Sequence, residues 1–123
     1  MCGLVGYIDK KSKKTKKETI KKMADVIIHR GPDGEGYFVD DNIAMGFRRL
    51  SIIDLKGGNQ PLYNEDNTLV INFNGEIYNY KELREDLIKK GHTFTTNSDT
   101  EVIVHAYEEY KEKVVNKLRG MFA

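Results

Sequence analysis

Cys2 is the only cysteine in the 123-residue chain, and it stands directly behind the initiator methionine in MCGLVGYI. A thiol with a pKa near 8.5 is mostly protonated at neutral pH and needs a base or a positive field to act as a nucleophile. Removal of Met1 would place that base on the same residue, because the freed α-amine of Cys2 has a typical pKa of about 7.7 to 8. An amide-linked Met1 would leave a nitrogen that takes no proton. The small side chain behind Met1 suits aminopeptidase trimming. The alternative is that Cys2 serves as a small buried hydrophobe at the start of a strand.

A nucleophile that attacks an acyl group needs donors aimed at the developing oxyanion. Asn74-Gly75 offers two: the asparagine side-chain amide, and a glycine N–H that substrate can approach. Standing alone, the same dipeptide is also a turn former with a tendency to positive φ. A zwitterionic amino-acid substrate needs a guanidinium for its carboxylate and an acid for its ammonium. Arg49 and Asp99 have that chemistry, although a surface ion pair and a first-turn helix acid would explain them equally. His29, His92 and His105 show no i, i+4 or CxxC partner, so they are assigned to loop packing or the surface, and no metal site is expected.

The elements that must carry these residues follow from periodicity. Residues 3 to 8 are rich in β-branched and aromatic side chains and predict a strand. Ile20, Met23, Ala24 and Ile27 predict a helix from about Lys17 to Ile28. HRGPDGEG (29 to 36) is punctuated as loop. Strands Tyr37 to Val39 and Ile43 to Phe47 flank an Asp40-Asp41-Asn42 turn. A long loop, Arg48 to Asn67, separates them from a strand at Leu69 to Phe73.

A helix from about Tyr80 to Lys90 follows, with Asn79 as cap and Gly91 as stop. Ser98 and Glu101 predict a capping box for the last helix, whose buried stripe is Ile103, Ala106, Tyr107 and Tyr110, and Val114, Val115 and Leu118 continue its pattern to Gly120. Met121, Phe122 and Ala123 are apolar after a glycine stop. The chain is therefore expected to stop where a further strand begins, inside its domain.

Composition narrows the class. A chain of 123 residues, 39% apolar and 32% charged with net charge +1, makes one domain at most and gives no field for steering nucleic acid. The eight lysines of KKSKKTKKETIKK (10 to 22) have no interleaved aromatics and predict a solvated face. No apolar run approaches the ~18 residues of a membrane helix and no signal design opens the chain, which points to the cytoplasm. One cysteine allows no internal disulfide.

Seven stretches carry a resemblance: MCGLVGYI, HRGPDGEG, FRRLSIID at 47 to 54, NQPL at 59 to 62, FNGEIYNY at 73 to 80, SDTEVI at 98 to 103 and LRGMFA at 118 to 123. Together they resemble the glutaminase domain of glutamine-hydrolysing asparagine synthetases, a class II amidotransferase among the N-terminal-nucleophile hydrolases. The match runs in order from first residue to last.

The resemblance implies an α+β fold, a four-layer αββα sandwich of antiparallel sheets, incomplete at the C-terminus. It implies that Cys2, freed of Met1, attacks the side-chain amide of glutamine to give a thioester, ammonia and then glutamate. Asn74 and the Gly75 N–H would hold the oxyanion. Arg49 would bind the glutamine carboxylate, Asp99 its α-amino group, and Leu50, Ile52 and Glu76 would line the pocket.

The same likeness implies that residues 1–123 are a partial glutaminase domain without the synthetase domain that uses ATP and Mg²⁺ to amidate aspartate. No cofactor is expected in the fragment itself. Glutamine and the missing synthetase domain are the expected partners, with self-association through an exposed sheet edge. The alternatives are an inert fragment, one that binds glutamine without turnover, or an amidotransferase serving another ammonia acceptor. With Met1 attached, the isolated chain is expected to be inactive.

Overall fold

The computed structural model of the chain describes residues 2–10, 12–51 and 58–123, which combine helices with antiparallel sheets in an α+β arrangement. The described residues divide into two units, one holding residues 2–10, 12–51 and 59–61, the other Gly58 and residues 62–123. Among them no helix is long and apolar enough to cross a membrane.

The first unit is a three-stranded sheet with one helix. Strands β1 (Gly3–Ile8), β2 (Gly34–Val39) and β3 (Ile43–Arg49) lie in the order β1-β3-β2, with Gly3 opposite Arg48 and Gly34 opposite Arg49. The β2–β3 turn is pinned by Asp40, whose carboxylate accepts the N–H groups of Asn42 and Ile43, both at 2.7 Å. Those two bonds hold its carboxyl below the usual range. The hairpin is the one expected, but its arms are longer. Gly34, Glu35 and Gly36, assigned to loop, pair with Arg49, Arg48 and Phe47, because ladder pairing along a seven-residue partner outweighs the local punctuation of two glycines.

Helix α1 (Lys13–Val26) begins four residues before the expected start, since the Ser12 hydroxyl caps it by accepting the Thr15 N–H at 3.3 Å. It ends in a 3-10 turn, Ile28–Arg30. Its buried residues are Lys16, Ile20 and Ala24, one every four positions. Lys16 departs from the solvated face expected of its run. The side chain is wholly enclosed, and its ammonium donates to the main-chain carbonyls of Asp9 at 3.2 Å and Asp41 at 3.0 Å. Buried Arg48 fastens the helix to the sheet: its Nε donates to the Ala24 carbonyl at 3.2 Å, and its guanidinium pairs with Asp25 and, at 2.6 Å, with Glu35.

The second unit has two short antiparallel pairs and two helices. Strand β4 (Leu62–Tyr63) pairs with β5 (Val70–Ile71), and β6 (Gly75–Ile77) with β7 (Gly120–Phe122). The expected long loop thus contains the end of β3 and all of β4, while residues 52–57 lie outside the described residues. The expected strand at Leu69 to Phe73 contracts to Val70–Ile71, because its partner is only two residues long. The apolar end of the chain forms β7, as the glycine-then-apolar pattern anticipates.

Helix α2 (Tyr80–Lys89) stops at Gly91, whose φ of 101° suits glycine. Asn79 occupies the cap position but bonds elsewhere, donating to the Lys117 carbonyl at 2.9 Å and accepting the Arg119 N–H at 2.9 Å. Helix α3 (Asp99–Tyr110) is buried on every residue from Thr100 to Ala106, beyond the expected stripe. Leu87 of α2 packs with Val102, Ala106 and Val114, and Phe73 and Ile77 pack with Ile103. Lys111, at φ 49°, breaks α3, so residues Lys111–Asn116 form a 3-10 segment where the helix was expected to continue.

Half of the expected capping box is present. The Ser98 hydroxyl accepts the Thr100 N–H at 3.0 Å. Glu101 does not reach back to Ser98. Its carboxylate, 2% exposed, accepts the N–H and hydroxyl of both Thr95 and Thr96 at 2.6 to 3.0 Å.

Candidate functional site

Cys2 lies at the entrance of β1 and is partly exposed, so it is not the sealed core residue of the alternative assignment. The β1–β3 register, with Gly3 opposite Arg48, carries Cys2 to the end of β3. There its sulfur lies 3.4 Å from the Leu50 N–H and 3.7 Å from the Leu50 carbonyl oxygen. Arg49 is the last residue of β3, and its guanidinium donates to the Asn59 side-chain oxygen at 2.9 Å. The fold of the first unit therefore collects Cys2, Arg49 and Leu50 at one end of the sheet. Ile52 lies outside the described residues.

The second unit collects Asn74, Gly75, Glu76 and Asp99. Asn74 forms a two-bond pair with Ala123, each N–H donating to the other's carbonyl at 2.9 Å, and the Tyr78 N–H donates to the Arg119 carbonyl at 2.7 Å. Bonded and non-bonded pairs alternate along an antiparallel ladder, so Gly75 and Ile77, opposite Phe122 and Gly120, turn their N–H groups away from β7. The Ile77 N–H finds the Asp99 carboxylate there at 2.9 Å. Asp99, in the first turn of α3, thus lies along the edge toward which the Gly75 N–H is directed.

Gly75 does not have the positive φ that Asn-Gly suggests; among the described residues the positive-φ glycines are Gly58 and Gly91. It is extended, and glycine is required because a Cβ there would collide with the Met121 carbonyl oxygen and with Phe122 across the ladder. Glu76 is exposed on the same strand. Nothing in the sequence singles out Asn72, yet both polar atoms of its side-chain amide are buried without a partner among the described residues.

The first unit thus carries a partly exposed thiol touched by a backbone N–H, and the second, by itself, a strand edge with outward N–H groups beside a carboxylate; each is a group type that acyl-transfer chemistry uses. The sequence matches, over residues 1–123, the family described as glutamine amidotransferase domain, and the chain belongs to that family. It is 56% identical over 126 residues to asparagine synthetase (glutamine-hydrolysing) 1 of Bacillus subtilis strain 168, covering 100% of this chain and 20% of that protein. Identity is 49% to the second such synthetase of the same organism, with 100% and 17% covered, and 46% to asparagine synthetase (glutamine-hydrolysing) 2 of Arabidopsis thaliana, with 100% and 21%. The chain thus spans about a fifth of the length of these relatives.

Proposed function

We propose that this chain carries the glutamine-hydrolysing chemistry of an asparagine synthetase. The Cys2 sulfur attacks the side-chain amide carbon of glutamine while its proton passes to the α-amine that Cys2 gains on removal of Met1. The Asn74 side chain and the Gly75 N–H hold the oxyanion. Collapse returns the proton to the leaving nitrogen, releases ammonia and leaves a thioester on Cys2, which water cleaves to glutamate. Arg49 holds the substrate carboxylate and Asp99 its ammonium, with Leu50, Ile52 and Glu76 lining the pocket.

The observation that carries this reading is the seat of the Cys2 sulfur, 3.4 Å from the Leu50 N–H beside Arg49. Similarity to the named synthetases over the whole chain supports it. The reading extends the α+β arrangement to a four-layer αββα sandwich, with residues 1–123 as part of the glutaminase domain, in the cytoplasm. It also assigns ATP, Mg²⁺ and aspartate to a synthetase domain that receives the ammonia.

The test is glutamate release from glutamine by the chain freed of Met1. Stoichiometric glutamine binding without glutamate release would support the binding-only alternative, and no response to glutamine the inert one. Asp99→Asn is expected to raise KM for glutamine at least about tenfold, since a charge-assisted bond to the ammonium is lost, with a smaller change in kcat. A fall in kcat at unchanged KM would assign Asp99 to another step.

A second reading rests on β7, where Met121 and Phe122 are 58% and 44% exposed. Pairing of this strand between chains would appear as concentration-dependent size in sedimentation.

A further inference from the structure

Two of the three histidines, which sequence spacing left without a metal role, meet in the second unit. His92 comes from the segment after α2, His105 and Glu108 from α3, and Glu65 from the turn between β4 and β5. One ligand atom from each of the four lies within 4.8 Å of the others.

With both rings neutral, the protons in this cluster do not balance the contacts. His92 Nδ1 is 3.3 Å from a Glu65 oxygen and 3.3 Å from a Glu108 oxygen. His105 Nδ1 is 3.1 Å from Glu65 and 3.2 Å from Glu108. Each Nδ1 carries at most one proton, yet each faces carboxylate oxygens from two residues. The other face of His92 deepens the conflict. Its Nε2 lies 3.0 Å from Glu109 Oε1, a contact that requires the hydrogen on Nε2 and, in the neutral ring, turns the Nδ1 lone pair toward both carboxylates. A cation among the four atoms converts these lone-pair repulsions into bonds.

The dimensions suit a small cation. A tetrahedral centre with bonds of 2.0 to 2.1 Å separates its ligand atoms by about 3.3 to 3.4 Å; the Nδ1–oxygen contacts of 3.1 to 3.3 Å, made with Glu108 Oε2 and with both oxygens of Glu65, approach that spacing, and one ligand atom per residue lies within 4.8 Å of the others. Two imidazoles and two carboxylates are donors that Zn²⁺ accepts and that Ca²⁺ and Mg²⁺, which prefer oxygen alone, do not.

The surroundings are those of a metal centre too. Glu108 Oε1 accepts from the Asn64 amide at 2.7 Å, Glu65 Oε1 accepts the Thr93 N–H at 3.0 Å, and Glu109 orients the His92 ring. His105, 1% exposed, directs Nε2 toward Glu101 Oε1 at 3.6 Å, and that nitrogen is buried without a hydrogen-bond partner among the described residues. Glu65 is exposed, which leaves an entry route from solvent.

We propose that Glu65, His92, His105 and Glu108 form a Zn²⁺-type site that ties the β4–β5 turn and the segment after α2 to helix α3. With four protein ligands the site is closed and structural, not catalytic. It uses none of the residues assigned to glutamine, so it stands or falls independently of that function.

The test uses the full chain, stripped with EDTA and titrated with ZnCl₂ against a chromogenic chelator, with CoCl₂ as a spectroscopic probe. Expected are one Zn²⁺ per chain, intense visible bands of tetrahedral Co²⁺, and a Zn²⁺-dependent rise in Tm. His92→Ala and Glu65→Gln, both at positions reachable by solvent and checked for an unchanged far-UV circular dichroism spectrum, should each weaken Zn²⁺ binding at least about tenfold and abolish the rise in Tm. His29→Ala, in the first unit, should bind like the parent. Absence of saturable Zn²⁺ binding, an octahedral Co²⁺ spectrum, or equal affinity in His92→Ala and Glu65→Gln would overturn the proposal, leaving the cluster as protonated histidines paired with glutamates.

Discussion

The Cys2→Ala chain is expected to take up none of a glutamine-shaped diazoketone, while the parent chain freed of Met1 gains one covalent adduct on Cys2, read by intact mass. Glutamate release should fall by at least about a thousandfold, because no other described side chain supplies both sulfur and an adjacent amine. A single residue added in front of Cys2 converts the α-amine to an amide. It should slow capture strongly without disturbing β1, whose pairing with β3 begins at Gly3. The parent's capture rate should rise through about pH 7 to 8, where the α-amine loses its proton, and that limb should vanish in the extended chain. Capture at an undiminished rate in Cys2→Ala would remove Cys2 from the chemistry, and in the extended chain it would remove the α-amine as its base.

Glu101→Gln is expected to lower the unfolding free energy by at least about 3 kcal/mol, with the full value reduced from four charge-assisted bonds because such terms do not add. Burial alone would push the Glu101 carboxyl up, but the N–H and hydroxyl donors of Thr95 and Thr96 outweigh it and hold it below the ordinary range. A carboxyl lowered in the folded state contributes stability that is fully present above its unfolded pKa of about 4.3 and is lost as pH falls through the folded value. Denaturant midpoints should therefore decline below about pH 4 in the parent, and part of that decline should disappear in Glu101→Gln. An unchanged midpoint at pH 7 would show that the four bonds contribute nothing net.

Local signals in the sequence were clearest where one residue fixes one geometry. Gly91 ends α2 at positive φ, Asp40 closes the β2–β3 turn through its own carboxylate, and Ser98 caps α3. The family resemblance, carried by motifs along the whole chain, anticipated the glutamine amidotransferase family to which the chain belongs.

What stayed hidden depends on partners distant in sequence. Glu101 matches a capping box in spacing, yet the donors that hold it come from Thr95 and Thr96, which lie before the cap rather than at it. Gly75 matches a turn, but its need for glycine comes from β7, some 45 residues later. The histidines were judged by spacing to each other. The i, i+3 pair His105 and Glu108 was the available hint, and only the fold brings Glu65 and His92 to it.

Lys16 gives the basic run an uneven chemical personality. Reagents that acylate amines need a deprotonated nitrogen with room to approach, and the nitrogen of Lys16 is enclosed and committed to the carbonyls of Asp9 and Asp41, while Lys13, Lys14, Lys17 and Lys22 are exposed. A peptide map after brief acetylation should therefore show one spared position amid modified neighbours, and that gap would close only when α1 lifts from its sheet.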